Sequence, residues 1–313
     1  MKTHMFWQRS GIRRIVTVAT LAILLCSAGS RLTFANNDDA MSADAMVRVC
    51  VNNELAAAQN PTVKHMFRSR RQTPRGSQTK LYIETRQAMV GMLIANDDRP
   101  LSGQQVENEA ARLQQFATNP EDLRRKQKQE HEDAEHTLRI LRALPDAFLY
   151  QFDGTEPKLG NVGEPAGEIV RLNFRPNPRY VPPSHVEQVL TGMQGYVLID
   201  KAAHRLTRID ATLIKEVTFG WGILGHLDKG GHLLVEQTDV GDGSWDITHM
   251  QLSLTGKIMM FKKVSFTSDE TLSDFHRVPP DTTFAQGIEL LKAEQARLES
   301  GGDGTATASK NRR

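Results

Sequence analysis

Two cysteines in 313 residues cannot build a disulfide framework. Cys26 falls in an N-terminal leader, which leaves Cys50 alone, so no intramolecular disulfide can form even in an oxidising compartment. Cys50 sits in the helical stretch Met46-Val47-Arg48-Val49-Cys50-Val51, which predicts a buried structural thiol rather than a nucleophile. There is no Gly-rich phosphate loop, no paired-cysteine motif and no Gly-x-Ser-x-Gly elbow. No cofactor is expected. A concentrated basic face is missing as well. The chain has 39 Lys+Arg against 37 Asp+Glu, but its first 35 residues hold five basic and no acidic residues. Without them the balance is 34 against 37, net −3, which removes the compositional case for nucleic-acid binding.

Those first residues read as a secretory signal. Lys2, Arg9, Arg13 and Arg14 precede an apolar run from Ile15 to Cys26, twelve residues long and too short to span a bilayer core. Thr33-Phe34-Ala35 fits a small-x-small cleavage pattern, with a cut after Ala35 and Ala28 as the alternative. Leu25 before Cys26 argues against acylation of that cysteine, and an uncleaved anchor is the other possibility. At the far end, 300–313 is rich in Gly, Ser, Thr and Ala and reads as a disordered tail. The remainder, 40–299, reads as one domain.

Within it, Ser42 to Ala58 predicts a helix, ended by Asn60-Pro61. Strands follow over Val63–Gln72 and Thr79–Asn96, with turn chemistry at Thr73-Pro74-Arg75-Gly76. Leu101 to Leu144 predicts a helical hairpin, opened by Ser102, broken at Asn119-Pro120 and closed by Pro145. Its second helix is heavily charged, with Glu121/Arg125, Asp122/Lys126 and Glu135/Arg139 spaced as i,i+4 pairs, and reads as a solvated face or a docking arm. From Phe148 the strand pattern resumes and holds to Thr267, with hairpin turns expected at Lys229-Gly230-Gly231, Asp242-Gly243 and Thr255-Gly256. Phe284, Ile288, Leu291 and Leu298 mark a closing helix that starts at Asp281 or Thr282. Strands are grouped rather than alternating with helices. That implies an α+β fold: a large curved antiparallel sheet, an open half-barrel, covered by a few helices, with the helical hairpin as an insert over 101–144.

Two groups of residues invite chemistry. His226, Asp228, His232, Asp246, His249 and His276 collect late in the chain, but without a recognised metal-ligand spacing. They define the lesser alternative, a metal-dependent hydrolase. In Phe219-Gly220-Trp221-Gly222-Ile223-Leu224-Gly225, glycines alternate with large apolar groups, as at a bend or beside an apolar ligand. Adaptable methionines, Met193 and Met250 among them, lean the same way. Phe219, Trp221, Ile223, Leu224, Met193 and Met250 are therefore the candidate lining of an apolar cavity, set against a plain core role.

The stretches Gly195-Tyr-Val-Leu-Ile-Asp200, Arg205-Leu-Thr-Arg-Ile-Asp210 and Trp221-Gly-Ile-Leu-Gly225 resemble exported relatives of the outer-membrane lipoprotein-sorting family. The resemblance covers mainly residues 145 to 291 and rests on topology and texture. The charged hairpin and the tail depart from that family's pattern, and no family contact residue maps onto this chain. The resemblance implies an unclosed β half-barrel that shelters acyl chains in the periplasm or cell envelope of a Gram-negative-type bacterium. The expectation is thus a non-enzymatic lipid- or lipoprotein-binding protein with no nucleic-acid partner. The alternative is an envelope interaction protein with a filled core, docking through the hairpin.

Overall fold

Ser42 opens helix α1 (Ala43–Gln59) by accepting the Ala45 N–H on its side-chain oxygen at 3.2 Å. Strands β1 (Lys64–Thr73) and β2 (Gly76–Ile83) follow, joined by Pro74-Arg75 with Thr73 paired to Gly76. Next come β3 (Val90–Asn96), the two-residue β4 (Arg99–Pro100), α2 (Gly103–Thr118) and α3 (Pro120–Ala147). The second half holds β5 (Phe148–Lys158), β6 (Gly167–Pro176), the short α4 (His185–Gln188), a 3₁₀ turn (Val189–Gly192), β7 (Met193–Asp200) and β8 (Arg205–Leu213). It closes with β9 (Val217–Phe219), β10 (Gly225–Leu227), β11 (His232–Asp239), β12 (Trp245–Ile258), β13 (Lys262–Val278) and α5 (Phe284–Ala308). This computed structural model describes residues 41–59, 63–158, 167–220, 224–241, 243–258 and 262–308; side chains are not described at 158, 258 and 301–308. The leader with its Ala35 cut, Trp221 and Ile223 lie outside the described residues.

The fold is α+β. Among the described residues, 13 strands form a large antiparallel sheet that does not close, in the order β4-β3-β2-β1-β13-β12-β11-β8-β7-β6-β5, with β10 joining β12 and β9. No described helix is long and apolar enough to cross a membrane. The stretch 40–299, read as one domain from sequence, divides by its contacts into two compact units. Helix α5 runs to Ala308, into the stretch that composition assigns to a tail.

The first unit takes in α1, the later half of α3 and β5 to β10. Its core is built from Val47, Cys50 and Val51 of α1, Leu138, Leu141 and Leu144 of α3, and inward residues of β5 to β8 such as Leu172, Val197 and Ile199. Glu54 fixes α1 onto β8. It is 6% exposed and receives Arg205 on both carboxylate oxygens, at 2.8 and 2.7 Å, and the Leu206 N–H at 3.1 Å. Cys50 is fully buried, and burial pushes its thiol up to about 12, which suits the inert role expected of it. Pro145 does not close the helix as the sequence suggested. It lies inside α3, where the turn is held by Leu144 and Ala147 at 8% and 0% exposure, and only one helical N–H is lost.

The second unit holds β1 to β4, α2, the first part of α3 and α5. Leu81, Ile83, Val90 and Met92 form its core with Leu113 of α2 and Phe284, Ile288 and Leu291 of α5. The charged hairpin does more than face water. Glu109 accepts the Leu93 N–H at 2.7 Å, Arg112 donates to Gly91 O at 2.6 Å and Glu130 accepts the Met89 N–H at 3.1 Å. These side chains satisfy backbone groups of β3 where β4 is too short to reach, so the hairpin covers a sheet edge. Two ion pairs near the start of α3 join other partners than the i,i+4 spacing suggested: Asp122 pairs with Arg125, and Lys126 with Glu130 at 2.7 Å.

One predicted turn is not a turn. Gly256 lies within β12, opposite Leu227 of β10, and a Cβ there would sit 2.1 Å from His226 O. The glycine answers a close approach of two strands. The turns at Lys229-Gly230-Gly231 and near Gly243 are formed, with Gly230 at φ +97° and Gly243 at φ +74°.

Candidate functional site

In the first unit a cleft of about 340 Å³ opens where α1, the end of α3, the start of β5 and the 177–181 turn meet. Its making is local. Helix α3 ends in carbonyls without helical partners. Asn177 takes two of them: its N–H donates to Ala147 O at 2.8 Å and its side-chain amide to Asp146 O at 2.9 Å. The same residue shapes the turn, accepting the Arg179 N–H on its side chain at 3.0 Å and the Tyr180 N–H on its carbonyl at 3.0 Å. Asn177 thus ties the turn to the helix, and the space between them is the cleft.

The floor is apolar. Phe148 is 3% exposed and packs on Phe174 with ring centroids 4.5 Å apart. The rim exposes Leu149 at 36% and Val181 at 82%. Charge of both signs stands beside them: Asp44 and Arg48 from α1, Asp146 from α3, and Arg179. Arg48 and Asp146 pair at 2.6 Å in solvent, which holds little energy but sets their positions. Tyr180 lines this cleft, and its hydroxyl is buried and meets no hydrogen-bond partner among the described residues. Burial above all, then the nearby carboxylates of Glu187 and Asp146, pushes that phenol up to about 12. It stays a neutral donor at any physiological pH, and an unsatisfied buried donor costs about 1–3 kcal/mol until an acceptor arrives.

The residues that the sequence singled out are placed elsewhere. Met193 is 7% exposed and belongs to the core of the first unit, and Phe219 is half-buried against the same core. Met250 is 7% exposed on β12, in the part of that strand assigned to the second unit. Leu224 is 53% exposed and lies over Gly220, where a Cβ would stand 2.5 Å from Leu224 Cγ. The Leu224 N–H closes the β9–β10 loop on Phe219 O at 3.2 Å.

The late histidines separate into three groups. His232 meets Asp210 at 2.9 Å. His249 lies between Glu236 and Asp269, at 3.0 Å from each through its two ring nitrogens, so both nitrogens donate only as an imidazolium. His226 faces Asp228 and Glu216. Asp246 turns back to the Ile247 N–H at 2.9 Å, and His276 is paired to Met66 across β1 and β13. Sequence reasoning missed the cleft because its walls come from three separate stretches, near Asp44, Pro145 and Asn177; Asn177 just after Pro176 was its one local signal.

No comparison adds a relative to this geometry: no family model matches the chain, and neither a curated protein nor a solved structure is similar to it.

Proposed function

We propose that this is an exported, non-enzymatic binding protein that takes the apolar part of an amphiphile, a lipid acyl chain or an acylated protein, into the cleft between α1, α3 and the 177–181 turn. The observation that carries the reading is the pairing of an exposed apolar rim, Leu149 and Val181, with the polar groups Arg48, Arg179 and Tyr180 in one concavity of about 340 Å³. That size is at the lower end for small-molecule sites, which combine apolar walls with a few convergent polar groups. Six buried methylenes would contribute about 5 kcal/mol before the cost of immobilisation. A headgroup acceptor would satisfy the Tyr180 hydroxyl and lie near the Arg179 guanidinium. The test is native mass spectrometry and lipid extraction of the untagged protein. Co-purifying acyl species, lost in a Leu149→Asp/Val181→Asp variant, support the reading. Protein that carries no lipid and binds no acyl probe contradicts it.

A second reading rests on the filled cores. Met193, Leu172, Ile199 and Leu213 occupy the interior of the first unit with 7% exposure or less. This favours an envelope interaction protein that docks through its surface, the outer faces of α2 and α3 included. Lipid-free protein that loses an envelope partner on charge reversal along those faces would favour it.

A further inference from the structure

We propose that Glu216, His226 and Asp228 form a binding site for one divalent transition-metal ion of the Zn²⁺ type, separate from the cleft and independent of the function proposed for it. One ligand atom from each residue lies within 4.8 Å of the other two. His226 Nε2 is the shared point: it stands 3.3 Å from Asp228 Oδ1 and 4.0 Å from Glu216 Oε2. Zinc takes imidazole nitrogen and carboxylate oxygen at about 2.0–2.2 Å, so two such ligands on a tetrahedral ion are about 3.4 Å apart. The two observed spacings bracket that edge length.

Two other histidines, His232 and His249, supply the contrast. His232 meets Asp210 at 2.9 Å, and His249 meets Glu236 and Asp269 at 3.0 Å. Those are hydrogen-bond distances, and each of those carboxylates is matched to a ring nitrogen. Around His226 one nitrogen faces two carboxylates at longer range. A single proton cannot serve both well, whereas an ion between them can. Two carboxylates and one imidazole cancel the charge of a divalent ion, and this mixed N/O set suits Zn²⁺ and its neighbours better than Mg²⁺ or Ca²⁺.

The backbone fixes the three groups. His226 pairs with Thr218 in the β9–β10 hairpin, which puts Glu216 and Asp228 at its open end. Gln188 donates to Thr218 O at 2.6 Å, and the Asp228 N–H donates to Thr255 O at 2.9 Å. The side chains of Glu216 and Asp228 are 55% and 45% exposed, so the fourth position opens to water and an ion can enter without rearrangement. Lys257 stands opposite His226 on β12 by register.

The experiment is a Zn²⁺ titration of the untagged, chelator-stripped full chain by calorimetry, repeated with Co²⁺ to read coordination from its visible spectrum. One equivalent should bind. His226→Ala should weaken binding by at least about 10-fold, since even loss of a supporting residue costs that much. Asp228→Asn and Glu216→Gln should each weaken it with the fold intact by circular dichroism, so a poorly folding His226→Ala protein would not decide the matter. Exchange of the exposed His131 for Ala should leave binding unchanged. Absence of stoichiometric binding in the wild-type chain, or binding undiminished in folded Asp228→Asn and Glu216→Gln variants, overturns the site.

Discussion

Glu54→Ala should be the most damaging single truncation in α1. Glu54 is 6% exposed and accepts three hydrogen bonds, two from Arg205 and one from the Leu206 N–H. The Arg205 side chain is itself only 15% exposed, so the lost carboxylate removes from a nearly buried guanidinium the partner that receives it on both oxygens. Breaking such a pair from one side costs about 3–5 kcal/mol. At about 2–4 °C per kcal/mol for a domain of this size, the melting temperature should fall by about 6–20 °C. Replacing both partners removes the half-broken pair, so Glu54→Ala/Arg205→Met should recover at least half of the loss. Chemical denaturation of wild type, both single variants and the double variant closes the cycle. A Glu54→Ala loss below about 1 kcal/mol, or a double variant no better than the single, would refute the claim that this pair clamps α1 to β8.

Cys50 should resist thiol reagents at pH 8 in the folded protein and react fully in denaturant, as thiol-labelling kinetics would show; rapid native labelling would contradict its burial. Its folded pKa of about 12 lies above the ordinary thiol value of 9.0, so the unfolded chain loses that proton first as pH rises. The stability it contributes is present below about pH 9 and is lost between about pH 9 and 12, and Cys50→Ala should flatten that part of a pH–stability curve. Gly195→Ala would place a Cβ 1.8 Å from Asp210 O, a backbone atom that cannot step aside, so it should cost about 1–3 kcal/mol in denaturation. Gly103→Ala, with nothing within 4 Å, should be neutral or stabilising by up to about 1 kcal/mol.

What was legible in the sequence was local. Thr73 to Gly76 and Lys229 to Gly231 are turns because their residues suit the backbone that a turn demands, whatever surrounds them. Gly256 misled because its reason is non-local: β10 runs beside it, and a strand neighbour thirty residues away leaves no mark on the dipeptide. The hairpin over 101–144 was visible from its helical period and its Asn119-Pro120 break. Its work as an edge cover was not, since a charged face bound to backbone and one bound to water look alike in sequence. The candidate site divides in the same way. Proximity in sequence found His226 with Asp228, whereas the partners of His249 are Glu236 and Asp269 on neighbouring strands, which no local spacing marks. The Gly-rich run from Phe219 drew attention by composition, whereas the cleft is held by one asparagine just after β6 that bonds the last carbonyls of α3.

The central claim is that the cleft beside Asn177 takes an acyl chain. A photoactivatable fatty-acid probe, cross-linked to the untagged protein and mapped by peptide mass spectrometry, tests it directly. Label is expected on the segments that carry Pro145 to Leu149 and Asn177 to Val181, with loss of that label in Asn177→Ala, which frees the turn from α3. Label concentrated on Met193, Phe219 or Leu224, or no saturable label at all, would contradict it.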